Sequence, residues 1–179
     1  MNIEALKTQT EKYKQVLANT TKYREAWHSD VKPMLQDTLQ DIIGQLAIPK
    51  AAVSEKTHID NLEAVVLDLG KSSSGISENL DDSGIKRIMI KSNGSLIYQQ
   101  LFNGKIMVML VSPHIEGYGE PKPPLAVEIL RPDEIRPALI YKHLEAFLKD
   151  ITEWEDYDDD QPARPRQSFN PIGFQRTEE

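Results

Sequence analysis

The sequence predicts an α+β domain with a mostly antiparallel sheet of about five strands, an N-terminal helical hairpin and a C-terminal helix. Three observations predict this class: apolar residues recur at three- and four-residue steps near both ends, they alternate in the middle, and two Asn-Gly pairs separate the alternating runs. We therefore expect residues 1–152 to form one domain, with 1–48 as the helical hairpin and 62–152 as the sheet with the C-terminal helix.

The N-terminal hairpin is predicted from helical spacing. The segment from Ile3 to His28 contains neither Pro nor Gly, and its apolar stripe consists of Leu6, Tyr13, Leu17, Thr20 and Trp27. Ser29 or Asp30 can cap a second helix that tolerates Pro33 in its first turn. A connection this short predicts an antiparallel hairpin. It remains open whether this hairpin packs on the sheet or projects as a dimerisation arm.

The middle of the chain is typical of antiparallel strands. Residues 62–69 alternate and predict a strand, whereas 71–83 are rich in Ser, Gly and Asp and predict a long loop. Three further strands are expected at 86–92, 95–102 and 105–112. They are separated by Asn93-Gly94 and Asn103-Gly104, which favour two-residue turns, so these strands should form a three-strand meander with two Asn-Gly hairpins.

The remaining elements follow a Pro-rich loop at 113–124. Residues 125–131 predict another strand, and a helix is expected to begin between Pro132 and Pro137. Its apolar face comprises Ile140, Leu144, Phe147, Leu148 and Ile151. From Glu153 onward the composition becomes acidic and then Pro- and Arg-containing, so 153–179 is predicted to be a tail.

The two expected turns fix which strand residues share a face of the sheet. They place Ile90 opposite Ile97 and Tyr98 opposite Met109. One predicted face is aliphatic and should contact the helices: Ile88, Ile90, Ile97, Leu101, Ile106, Val108 and Leu110. The other predicted face carries Met89, Leu96, Tyr98, Phe102, Met107, Met109 and Val111. Three methionines beside aromatic residues are typical of an adaptable contact surface.

A protein partner is the predicted occupant of that second face, with Met89, Tyr98, Met107 and Met109 as binding residues. The alternatives are that a helix of the same chain covers the face or that the face borders a ligand pocket. In the tail, Phe169 and Phe174 are apolar residues within a polar, Pro-containing extension, which is typical of docking peptides.

Charge and composition exclude several function classes. The formal charge is −7, of which the tail carries −5 from eight acidic and three basic residues, so the body is near balance. A balanced body does not favour binding to nucleic acid. The longest apolar run, Ile106 to Val111, is far shorter than the ~20 residues of a membrane-spanning helix. The N-terminal residues do not have the pattern of a signal peptide, so we expect a cytoplasmic protein.

Catalytic and metal-binding patterns are incomplete. His114 and Glu116 in the Pro-rich loop are the best enzymatic candidates, because His is a natural general base, but no nucleophile motif accompanies them. Gly70-Lys71-Ser72 lacks the upstream Gly of a phosphate-binding loop, and Asp156, Asp158 and Asp160 lack the Gly and Glu of a calcium loop. With no Cys and no His-x-x-x-His pair, we predict neither a metal site nor a cofactor.

The sequence therefore predicts a non-catalytic cytoplasmic protein that acts through protein–protein contact as a homodimer. One alternative is a small-molecule-binding protein or small enzyme with a site at the 113–124 loop. The other is a chaperone or adaptor that uses the Met-rich sheet face.

Overall fold

The computed structural model describes residues 3–82 and 84–157 and confirms the α+β class. Its α-helices are α1 Ile3–Ala26, α2 Lys32–Leu46 and α3 Pro137–Glu155. Its strands are β1 Ala52–Lys56, β2 Ala64–Asp68, β3 Lys71–Asn79, β4 Lys86–Ser92, β5 Ser95–Gln100, β6 Ile106–Val111, β7 His114–Ile115 and β8 Leu125–Leu130. A five-stranded sheet has the order β1-β2-β5-β6-β8, a three-stranded sheet has the order β3-β4-β7, and all pairs are antiparallel.

The two N-terminal helices are connected by a π-helical segment, Trp27–Val31, rather than by a capped turn. The predicted cap at Ser29 or Asp30 is wrong, since both residues lie inside this segment. The widened turn is marked by the backbone N–H of Lys32, which donates to the carbonyl of Trp27 five residues earlier. Pro33 follows directly in the first turn of α2, where its missing N–H is tolerated.

The predicted hairpin at Asn93-Gly94 is wrong. β4 and β5 are successive parts of one long bent strand, which pairs with β3 and β2 instead of with itself. The pairing continues through the bend, because Leu69 N–H donates to Gly94 O and Asn93 N–H donates to Gly70 O. Gly94 has a φ of +97°, and a Cβ there would lie 2.7 Å from the carbonyl oxygen of Val111. The Asn-Gly pair therefore permits a bend rather than a reversal.

The same pairing corrects the predicted loop at 71–83. Residues Lys71–Asn79 form β3, and the ribbon of β3 and β4 turns at its far end, where Leu80 N–H donates to Ile85 O. The serines and glycine that indicate a loop are accommodated because a strand ladder uses backbone groups and not side chains. The register of β3 against β4 shifts between Ser73 and Ser77, and Gly75 lies within this irregular part of the strand.

The predicted hairpin at Asn103-Gly104 is confirmed, but its loop is longer by one residue. Leu101 N–H donates to Lys105 O, so three residues form the loop, with Gly104 at a φ of +78°. Tyr98 consequently pairs with Val108, whereas Met109 pairs with Ile97. This one-residue difference exchanges the two predicted faces of β5.

The core lies between one face of the five-stranded sheet and the helices α2 and α3. That face carries Val65, Leu67, Leu96, Tyr98, Ile106, Val108 and Leu110, all of which are buried. The predicted apolar face of α3 is confirmed, since Ile140, Leu144 and Phe147 are buried against it. Of the predicted tail at 153–179, residues 153–155 belong to α3, and the part from residue 158 onward, including Phe169 and Phe174, lies outside the described residues.

Candidate protein-interaction surface

The outer face of the five-stranded sheet is the side opposite α2 and α3, and it carries an apolar patch beside polar residues such as Asp68, Ser95 and Gln99. Cross-strand pairing aligns the members of this patch, which are Val66, Ile97, Met107, Met109 and Ile129. Val66 at the centre is buried, the two methionines and Ile97 are partly buried, and Ile129 is 56% exposed. An antiparallel sheet with one solvated face normally carries polar residues there. The apolar patch therefore has the composition of a contact surface.

The predicted binding residues divide between different parts of the fold. Met107 and Met109 lie on the outer face, as expected for a contact surface. Tyr98 does not, because the corrected register turns it into the core, where it is fully buried. Met89 lies in β4 of the three-stranded sheet and is also buried. The prediction that Tyr98 contributes to an exposed face is therefore wrong.

Tyr98 instead contacts the buried His143 of α3, which also lies beside the partly exposed Glu128 of β8. Its hydroxyl lies 3.1 Å from His143 Nδ1, and His143 Nε2 lies 3.4 Å from Glu128 Oε1. If the tyrosine hydroxyl donates to Nδ1, a neutral imidazole carries its proton on Nε2, the nitrogen beside Glu128. Burial raises the pKa of the Tyr98 hydroxyl. Burial also lowers the pKa of His143, against the opposing effect of Glu128.

The buried imidazole predicts acid sensitivity. Burial lowers the pKa of His143 in the folded protein below its ordinary value of about 6.5, so the unfolded state binds more protons than the folded state as the pH falls. The free energy of unfolding should therefore decrease as pH falls below about 6.5. Urea denaturation between about pH 7 and pH 5 should show this decrease, and His143→Gln should reduce it. The exposed His58, replaced in the same way, is the matched control, and an equal effect of both variants would contradict the assignment.

A second polar group holds the junction of α1 and α2. The carboxylate of Glu63, which is 8% exposed, accepts hydrogen bonds from Trp27 Nε1 and Lys32 Nζ, both at 3.1 Å. Burial raises the pKa of Glu63, but these hydrogen bonds outweigh it, so the pKa lies below its ordinary value. Lys32 also lies 3.5 Å from Glu55 of β1. The group thus ties the π-helical segment to the edge of the sheet.

The enzymatic candidates lie at the protein surface, with His114 partly exposed and Glu116 exposed. His114 lies in β7, which pairs with β4 at the edge of the three-stranded sheet. Glu116 accepts a hydrogen bond from Lys71 Nζ at 3.0 Å, and this contact lowers the pKa of its carboxyl group. Among residues 3–82 and 84–157, no group of three or more His, Asp or Glu side chains could hold a metal ion. An open depression between β8 and α3 is lined by Leu110, Leu125, Ala146 and Lys149, not by His114 or Glu116.

Helix α1 presents an apolar stripe whose packing the sequence left open. It has no buried residue, and Ile3, Leu6, Tyr13 and Leu17 are each more than half exposed. The spacing of these residues predicts the helix correctly, but spacing alone does not show whether a helix packs on its own domain. The additional signal in the sequence is that the steps alternate regularly between three and four residues, which is typical of paired helices.

Comparisons with known proteins do not assign the chain. No family model matches it, and no curated protein or solved structure matches it significantly. Within the part of the chain that the structure describes, no helix is long and apolar enough to cross a bilayer.

Proposed function

We propose that this chain is a non-catalytic cytoplasmic protein that acts through protein–protein contact and is a homodimer. The observation that carries the proposal is α1, a helix of 24 residues without a buried side chain. Helices gain most of their stability by packing an apolar face, and isolated helices are marginal in water. A partner that covers the exposed apolar residues of α1 would supply the missing packing.

Native mass spectrometry of the full 179-residue chain tests the proposed homodimer. We expect a dimer mass without a bound small molecule, converting to monomer on dilution. A monomer at all concentrations would contradict self-association. A stoichiometric small-molecule adduct would instead favour the alternative of a small-molecule-binding protein.

The outer face of the sheet supports an adaptor role within this proposal. Met107 and Met109 are long, flexible side chains that can adjust to partners of varied shape, and Ile129 extends the same surface. We propose that this face binds a second, different protein through apolar contacts. The residues of this face belong to β2, β5, β6 and β8, and none of them belongs to α1.

Dye binding tests whether the outer face is open in the native protein. The folded chain should bind anilinonaphthalene sulfonate, and Ile129→Glu and Met109→Glu should each reduce the dye fluorescence. Ile129→Glu should change the free energy of unfolding by less than about 0.5 kcal/mol, because the side chain is exposed. Tyr141→Glu is the matched control, because Tyr141 lies in α3 and is 52% exposed. Absence of dye binding by the native chain would mean that the face is covered.

A further inference from the structure

One side of α1 carries a regular heptad pattern. We call this side the seam, and its members are Ile3, Leu6, Thr10, Tyr13, Leu17 and Thr20. The steps between them alternate strictly between three and four residues, which is the spacing of the contact positions in a coiled coil. The next two positions in the same series are Arg24 and Trp27. The seam spans 18 residues, or about 27 Å of helix.

The C-terminal continuation of the seam packs against the remainder of the same protomer, which we call its body. The turn at 101–105 lies against it, since a Cβ on Gly104 would be 3.1 Å from Thr20 O and 2.6 Å from Tyr23 Cβ. Arg24 Nη2 donates to Phe102 O at 2.6 Å, and Trp27 is fully buried. The seam side of α1 therefore packs against the body near the C-terminal end of the helix and is exposed toward the N-terminal end.

We infer that the seam pairs with the seam of a second copy of this chain, as an antiparallel two-stranded coiled coil. This inference rests on the proposed homodimer and names its interface. In the register that overlaps the two seams fully, Leu6 lies opposite Leu17 of the partner subunit, and Thr10 lies opposite Tyr13 of the partner subunit. Each tyrosine thus faces a smaller threonine, which allows the facing layers to interdigitate.

A parallel pair is disfavoured by both packing and space. It would place tyrosine against tyrosine at position 13 and threonine against threonine at position 10, leaving one layer crowded and the other loose. A parallel pair would also place the remainders of both protomers side by side at the C-terminal ends of the two helices. At that end the turn at 101–105 already occupies the seam side of α1. The antiparallel arrangement places the two bodies at opposite ends of the paired segment.

The polar residues of the seam can be covered without leaving unpaired groups. The hydroxyl of Thr10 donates to Leu6 O at 2.8 Å, and that of Thr20 donates to Val16 O at 3.1 Å. Both hydroxyl donors are satisfied within the helix, so burying them in an interface carries no penalty for an unmade hydrogen bond. On the flank of the seam, Lys7 and Lys14 are each paired with a glutamate of the same helix, at 2.9 Å and 2.7 Å.

Phe102 agrees with the antiparallel register. This side chain is 74% exposed in the turn that touches the base of α1. In the inferred register, the N-terminal end of the partner helix, with its Ile3, arrives beside Thr20 and hence beside this turn. A large exposed aromatic residue therefore lies where the partner helix ends.

Substitutions in α1 test the interface in the full-length chain. Leu17→Glu should raise the dissociation constant of the dimer at least about tenfold, because the interface contains this leucine twice. Gln15→Glu introduces the same carboxylate on the outward side of the same helix and should leave the constant unchanged. If Leu17→Glu remains as dimeric as the native chain, the seam is not the interface, although the proposed homodimer would stand.

Cysteine crosslinking tests the orientation, since the native chain contains no Cys. An equal mixture of Leu6→Cys and Leu17→Cys chains should form a disulfide between positions 6 and 17, identified by peptide mass. Neither variant alone should crosslink efficiently. Crosslinks between two copies of position 17 would show a parallel pair, and absence of any crosslink in a dimeric sample would place the interface elsewhere; either result overturns the inference.

Discussion

Replacing Gly104 with alanine is expected to lower the free energy of unfolding by about 2–5 kcal/mol. Gly104 has a φ of +78°, in a region that costs an L-residue about 1–2 kcal/mol. A Cβ would also lie 2.6 Å from Tyr23 Cβ and 3.0 Å from the backbone nitrogen of Arg24, and such overpacking typically adds about 1–3 kcal/mol. Urea denaturation followed by circular dichroism measures the change.

Gly119→Ala is the matched control for this prediction. Gly119 has the same φ of +78°, but nothing lies within 4 Å of the position a Cβ would take. Its replacement should therefore cost only about 1–2 kcal/mol, from the backbone conformation. If Gly104→Ala and Gly119→Ala lose the same unfolding free energy, α1 does not pack against the turn at 101–105. The packing described for the C-terminal end of the seam would then be wrong.

Truncating Trp27 to alanine is expected to cost about 3–5 kcal/mol of unfolding free energy. Trp27 is fully buried at the start of the π-helical segment and belongs to the cluster that joins α2, α3 and the sheet. The truncation leaves a large cavity and also removes the indole N–H that donates to the buried Glu63. The measurement is again urea denaturation, followed by circular dichroism because tryptophan fluorescence itself changes.

Two further variants show how much of the cost at Trp27 comes from its buried ring and how much from its indole N–H. Trp154→Ala removes the other tryptophan, which is partly exposed and whose ring lies 5.9 Å from Lys91 Nζ. This change should cost about 1 kcal/mol or less. Trp27→Phe keeps much of the ring volume but loses the N–H, so it should cost less than Trp27→Ala and more than Trp154→Ala. A Trp27→Ala cost no larger than that of Trp154→Ala would contradict the placement of Trp27 in the core.

The elements that the sequence predicted well are those in which one local pattern has one structural solution. In α3, Pro137 lies in the first turn and the apolar residues at Ile140, Leu144 and Phe147 match one helix face, which is the face that the core buries. In β6, Ile106 and Val108 alternate with half-buried residues. Such patterns are local, so the neighbouring residues are sufficient to specify them.

The Asn-Gly pairs were ambiguous because a positive φ serves more than one structure. At Asn103-Gly104 it closes a three-residue loop, and at Asn93-Gly94 it bends a strand beside Val111. The difference depends on which backbone groups lie across from each pair. At Asn93-Gly94 those groups belong to Leu69 and Gly70, between the distant strands β2 and β3, and β3 has the composition of a loop.

For the same reason, the residues of the candidate surface could be predicted within β6 but not within the neighbouring strand β5. The sequence indicates that Met107 and Met109 share a face, because strand side chains alternate whatever the register. It does not determine the face of a neighbouring strand, and one additional loop residue moved Tyr98 from the expected surface into contact with His143. Partner binding by Phe169 and Phe174 remains a prediction.

The sequence by itself determined the α+β class, the helical nature of both ends and the alternation within the central strands. Only the tertiary structure decided the pairing of the bent strand with β2 and β3, the face on which Tyr98 lies, and the exposure of α1. The physical reason is that hydrophobic periodicity is a property of neighbouring residues. Strand register, burial and the exposure of most of α1 depend on contacts between distant parts of the chain.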